Sequence, residues 1–136
     1  MTTKNGIWLA FKTLKDEQKL LAEWHMGLKF ICSLRQMDTI PIMLIPEDSA
    51  EPFSVWSNGI RSPYFRLEKV DEETGCAKLS LLEALNMDGC PVDVMEEVYT
   101  LRKTDRCILL ETSCFCAIHP LSPELLNKPL PNIEPK

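Results

Sequence analysis

The spacing of apolar residues changes character near residue 37. In residues 14–32, Leu20, Leu21, Trp24, Leu28 and Ile31 recur three and four apart, the repeat that lines one face of an α-helix. Thr13, with Asp16 and Glu17 just beyond it, predicts the helix start, because acids in the first turn complement the helix dipole. Gly27 weakens the helix without breaking it. The stripe is expected to pack on a sheet, with pairing to another chain as the alternative. A short apolar stretch at residues 7–11 precedes it.

Beyond residue 37 the pattern favours strands. Asp-Thr-Ile-Pro-Ile-Met-Leu-Ile-Pro at residues 38–46 is β-branched and carries two prolines, which predicts an edge strand because proline cannot donate to a ladder. Residues 47–63 are turn-rich and read as a long loop or irregular hairpin, with Phe53, Val55 and Trp56 available to tuck it onto the core. The clearest pairing signal is Tyr-Phe-Arg-Leu-Glu-Lys-Val at residues 64–70, then a five-residue polar loop ending in Gly75, then the alternation of Ala77, Leu79 and Leu81 with Lys78 and Ser80. This predicts a hairpin. Residues 86–91 read as a turn. Residues 92–103 fit both a helical turn and a strand, and are assigned as strand. Lys103-Thr104-Asp105 then reads as a hairpin turn into a strand over residues 106–120. Five of the ten prolines fall after residue 119, so the end of the chain is expected to lack regular structure apart from a short helical turn at residues 123–127. The expected fold is mainly β: antiparallel sheets, sandwich- or barrel-like, with an N-terminal amphipathic α-helix. The expected divisions are a helical segment (1–36), an antiparallel β domain (37–119) and a Pro-rich tail (120–136).

Composition narrows the function. A chain of 136 residues with 45% hydrophobic and 26% charged residues can bury an ordinary core. A formal net charge of −5 argues against a nucleic-acid partner, because Lys12, Lys15 and Lys19 are interleaved with Asp16 and Glu17. No segment is apolar enough to predict a membrane span, and no signal peptide is visible, so a cytoplasmic site of synthesis is expected. Disulfides are disfavoured there, so the six cysteines call for a reason.

Three of them lie in the run from Arg106 to Pro120. In one extended strand Cys114 and Cys116 would share a face with Leu110, Thr112 and Ile118. Same-face neighbours are poorly spaced for a bond to each other but suited to offering sulfur to another strand or chain. The cysteine spacings of 44, 14, 17, 7 and 2 residues match no zinc finger or ribbon. Cys114, Cys116 and His119 would supply three ligands if the chain turned after Ile118, which leaves a small metal- or thiol-dependent module as the alternative function. Catalysis by a cysteine nucleophile lacks a base-orienting context: only His25 and His119 are present, and no Cys-x-x-Cys or Gly-rich phosphate loop occurs. Buried, inert cysteines in a plain interaction domain would also fit the pattern. No catalytic residue, cofactor or resident metal is expected.

Three blocks carry a family resemblance: Asp-Thr-Ile-Pro-Ile-Met-Leu-Ile at residues 38–45, Tyr-Phe-Arg-Leu-Glu-Lys-Val at 64–70, and Cys-Ile-Leu-Leu-Glu-Thr-Ser-Cys-Phe-Cys-Ala-Ile at 107–118. Together they resemble the spore coat protein Y/Z family of Bacillus-type endospores, the last block being the most specific. The resemblance implies a structural protein made in the mother-cell cytoplasm and deposited on the outermost spore layer, the coat or crust. It implies self-assembly into a lattice with itself and other spore coat proteins, hardened by inter-subunit disulfides. The cross-linking positions it implies are Cys107, Cys114 and Cys116, with Cys76 and Cys90 added by location. Residues 47–63 contain no cysteine where typical members carry them. That marks a divergent member, expected to assemble mainly by non-covalent contacts.

Overall fold

The computed structural model describes residues 6–27, 37–57 and 59–130. Helix α1 spans Gly6–Gly27. The strands follow as β1 (Ile42–Pro46), β2 (Val55–Ser57), β3 (Ile60–Ser62), β4 (Phe65–Val70), β5 (Cys76–Leu85), β6 (Thr100–Glu111) and β7 (Phe115–Pro120). β2 and β3 form a small two-stranded ribbon. The others make one antiparallel sheet in the order β6-β5-β4-β1-β7. The mainly antiparallel β class with an N-terminal helix is the class observed.

The sheet is strongly curled. β6 and β7 lie at opposite edges, yet only residues 112–114 connect them. Four steps of chain reach at most about 14 Å, whereas the edges of a flat five-stranded sheet stand about 19 Å apart. The sheet therefore bends round so that one end of β6 approaches β7. The join between β4 and β1 is narrow, with the single register pair Ile42–Phe65. Inside the curl Phe11, Phe65, Leu67, Leu79 and Leu44 are fully buried. Phe53 lies 5.7 Å from Phe65 in a stacked arrangement and meets Phe115 edge-on at 5.4 Å, filling the space between opposite strands.

Several elements differ from the sequence expectation. The helix begins at Gly6, not at Thr13, and the residues that bury are Trp8, Phe11, Leu14 and Gln18. These lie three or four apart and extend the stripe back into the short apolar stretch. Leu20, expected on the core face, is 62% exposed. Leu28, Ile31 and Cys32 lie outside the described residues, as does the side chain of Trp24. Strand β1 is not an edge strand, since it pairs with both β4 and β7. Its two prolines sit where they interrupt least: Pro41 precedes the strand, and Pro46 ends it at a register shift. The loop at 47–63 contains the ribbon. Phe53 and Val55 pack on the core as expected, while Trp56 is 69% exposed.

The β4–β5 hairpin forms as read, with Gly75 at φ 73° closing its turn. The turn at 86–91 also forms, with Asn86 Oδ1 accepting from the amides of Asp88 and Cys90. Residues 95–97 form one turn of 3₁₀-helix before β6 begins. Lys103-Thr104-Asp105 is not a hairpin turn. Leu82 pairs with Lys103 and Ser80 with Cys107, so three residues of β6 face Leu81 alone in a bulge. The Thr104 hydroxyl donates to the Leu81 carbonyl at 2.6 Å and holds the bulge. Near the end of the chain, Pro123–Leu125 forms the short helical turn expected. Leu126 is buried and lies beside Leu101 in a parallel bridge, so this segment covers the start of the β6 edge.

Candidate functional site

The stretch carrying Cys107, Cys114 and Cys116 is two strands, not one. Cys107 lies on β6, Cys114 in the 3₁₀ turn Thr112–Cys114, and Cys116 on β7. Thr112 is the pivot. Its amide and hydroxyl both donate to the Gly75 carbonyl, at 3.1 and 2.8 Å, and its side chain is buried. The expected shared face of Leu110, Thr112, Cys114, Cys116 and Ile118 is therefore broken: Thr112 points in and Cys114 points out. The Cys114 carbonyl accepts from the Glu47 amide at 3.1 Å, fixing the end of the turn. Alternation then resumes, with Phe115 buried and Cys116 exposed near the Pro46 carbonyl.

All five described cysteines are free thiols. Cys90, Cys107, Cys114 and Cys116 are exposed and Cys76 is half-buried. Cys76 and Cys114 fall at one end of β5, Cys90 past the other, and Cys107 between them on the β6 edge. Cys76 opens β5 opposite Glu111, and Gly75 beside it holds the turn that contains Cys114. Cys90 sits past the other end of β5, where Leu85 pairs with Pro91. A ten-residue strand puts these groups about 30 Å apart. Among the described residues no group of three or more His, Cys, Asp or Glu side chains is placed to hold a metal ion. Cys114, Cys116 and His119 are accordingly not assembled into a ligand set: the first is in the turn, and the other two stand three residues apart on a strand, an odd interval that points them to opposite faces.

Behind Cys107 lies a polar cluster the sequence did not reveal. Cys107 is in register with Ser80, and Ser80 with Arg66, across three adjacent strands. Ser80 donates to Glu68 at 2.6 Å, and Arg66 bonds the other Glu68 oxygen at 2.6 Å. Arg66 Nε also donates to the Thr39 hydroxyl at 2.6 Å, and Lys103 grips both oxygens of Asp38 at 2.6 and 2.8 Å. Burial works to raise the Asp38 pKa, but hydrogen bonds from Lys103 and Thr39 and the charges of Lys103 and Arg66 outweigh it and hold the group below its ordinary value. Glu68 follows the same pattern: burial opposes ionisation, while Arg66, Ser80 and Lys103 favour it, and the net direction is down. Tyr64 is pushed up by burial and by Glu96. The cluster ties Asp38 and Thr39 to β4 and β6 beneath the thiol-bearing edge.

A profile of spore coat protein Z matches residues 25–123. The chain is also 33% identical over 103 residues to spore coat protein Z of Bacillus subtilis (strain 168), covering 67% of this chain and 68% of that protein. The chain belongs to the spore coat protein Z family. Its place is the spore coat and its role there is a structural one. No solved structure matches the chain. The matched span takes in only the last three residues of α1, but every strand and Cys76, Cys90, Cys107, Cys114 and Cys116, so the thiol-bearing sheet is the part of the chain the family shares.

Proposed function

We propose that this protein is a self-assembling structural component of the outer spore coat, and that its exposed thiols link neighbouring subunits into a lattice. The observation that carries this reading is the placement of free sulfur at both ends of a rigid sheet and on both of its edge strands. A lattice requires each subunit to be joined in more than one direction, and thiols about 30 Å apart supply this where a single cluster would give only dimers. Each link forms when two thiols lose two protons and two electrons to an oxidant and the sulfurs bond. Other coat proteins bearing accessible thiols are partners of the same chemistry.

The test is oxidation of the purified protein with diamide, followed by non-reducing electrophoresis. A ladder of covalent oligomers that collapses on reduction is expected. The Cys114→Ser, Cys116→Ser double variant is expected to lose most of the higher bands. An unchanged ladder in that variant overturns the cysteine assignment, and the absence of any ladder from the unmodified protein overturns disulfide-linked assembly.

A further inference from the structure

We infer that residues 107–111 of β6 pair with the same segment of a second copy across a two-fold axis at Leu109, before any disulfide forms. This rests on the self-assembly reading above and names the contact that brings subunits together. Edge strands are normally blunted by proline, lysine, bulges or a covering segment. β6 uses these devices unevenly. Its start is covered by the chain near Leu126, where the Asn127 amide donates to the Leu101 carbonyl. Lys103 and the bulge at 104–106 interrupt its middle. Residues 107–111 (Cys-Ile-Leu-Leu-Glu) contain no lysine, proline or bulge, and among the described residues only β5 pairs with them. Leu109 on this segment is 74% exposed, more than any other large apolar side chain described.

The segment is self-complementary in one arrangement. Antiparallel pairing centred on Leu109 sets Leu109 against the second copy's Leu109, and Ile108 against its Leu110. Ile108 and Leu110 already pack on the core of their own subunit, so the pairing continues that apolar layer across the axis. In this register exposed Glu111 falls opposite the second copy's Cys107, and exposed Arg106 opposite its Thr112, so no like charges are set side by side. Parallel pairing would place arginine beside arginine and glutamate beside glutamate. Centring on Cys107 would drive the pairing into the bulge at 104–106. The observations therefore select a second copy, antiparallel, at this register. The paired segment takes in Cys107 alone, so Cys76, Cys90, Cys114 and Cys116 lie outside it, where disulfides can then join dimers.

The test separates this contact from the disulfide step by working in reductant. Sedimentation of the full chain with tris(2-carboxyethyl)phosphine is expected to show a concentration-dependent dimer. Leu109→Lys, a change at an exposed site, is expected to keep the circular dichroism and melting profile and to lose the dimer. A second variant fixes the register: directly opposed residues in an antiparallel pair lie about 4.5–5.5 Å apart at Cα, inside the disulfide window of about 4.4–6.8 Å. Leu109→Cys in a background with Cys32, Cys76, Cys90, Cys107, Cys114 and Cys116 all changed to serine is therefore expected to give a strong dimer band with diamide that Lys78→Cys, one strand inward, does not give. A folded Leu109→Lys protein that dimerises as the parent does, a parent that stays monomeric in reductant, or equal cross-linking of the Leu109 and Lys78 variants would each overturn the inference. None of these outcomes bears on the ladder formed under oxidation, so the two readings fail separately.

Discussion

Gln18 offers the sharpest test of how the helix holds the sheet. Its side chain is buried on α1 and spans the narrow join between β4 and β1: Nε2 donates to the Leu67 carbonyl at 2.8 Å, and Oε1 accepts from the Ile40 amide at 3.0 Å. Gln18→Leu keeps the approximate volume and removes both bonds. Ile40 is only half-buried, so stranding its amide falls in the lower part of the usual range, about 1–2 kcal/mol. Losing the bond to Leu67 adds about 1 kcal/mol, and the added apolar surface recovers part of the total. The net is about 2 kcal/mol, which for a chain of this size lowers Tm by roughly 6–10 °C.

Gln18→Glu probes the same site with a pH handle. One carboxylate oxygen still accepts from Ile40, but the other faces the Leu67 carbonyl oxygen and bonds to it only when protonated. The folded-state pKa of the introduced carboxyl is thereby raised above its unfolded value. Between the two values the folded state holds more protons, so stability falls as the pH rises. The glutamate variant should approach the parent in acid and fall below the leucine variant at neutral pH. Urea denaturation in reductant across pH 4–8 measures both. If both variants lie within about 0.5 kcal/mol of the parent at pH 7 and the glutamate variant has the parent's pH profile, the bridging role of Gln18 is refuted.

Two further outcomes follow from other parts of the molecule. Gly75→Ala adds a Cβ into open space but forces φ 73° on an L-residue, so it should cost about 1 kcal/mol in denaturant midpoint, and Gly75→Asn less. Asp38 and Glu68 both have folded-state pKa values held below ordinary ones, so their contribution to stability is present at neutral pH and is lost as the pH falls through the carboxylate range toward those depressed values. Asp38→Asn should flatten the acid limb of a stability-against-pH curve, and an unchanged limb would show that the Lys103 pairing contributes nothing.

Local pattern was enough to place the β4–β5 hairpin, the turn at 86–91 and the mainly β character, because alternation and turn residues act between near neighbours. The three blocks that resemble the coat protein family were legible for the same reason. The helix was found but its face was misread. Trp8 and Phe11 lay outside the segment expected to be helical, Leu14 lay at its start but was not counted in the stripe, and the fourth buried position, Gln18, is polar and buries only because β4 and residue 40 offer it partners.

Strand order and exposure belonged to the tertiary structure. The prolines beside β1 suggested an edge, yet β1 is paired on both sides because they fall just before the strand and at its end. The cysteine run looked like one strand, and only the grip of the Gly75 carbonyl on Thr112 divides it and turns Cys114 outward. Thiol-bearing β6 and β7 could not be known as the sheet's edges from residues 106–120 alone, since an edge is defined by a neighbour that is absent in space. Periodicity is carried by residues adjacent in the chain and can be read there. Edges, bulges and buried polar bridges arise between residues distant in the chain, and only folding brings those together.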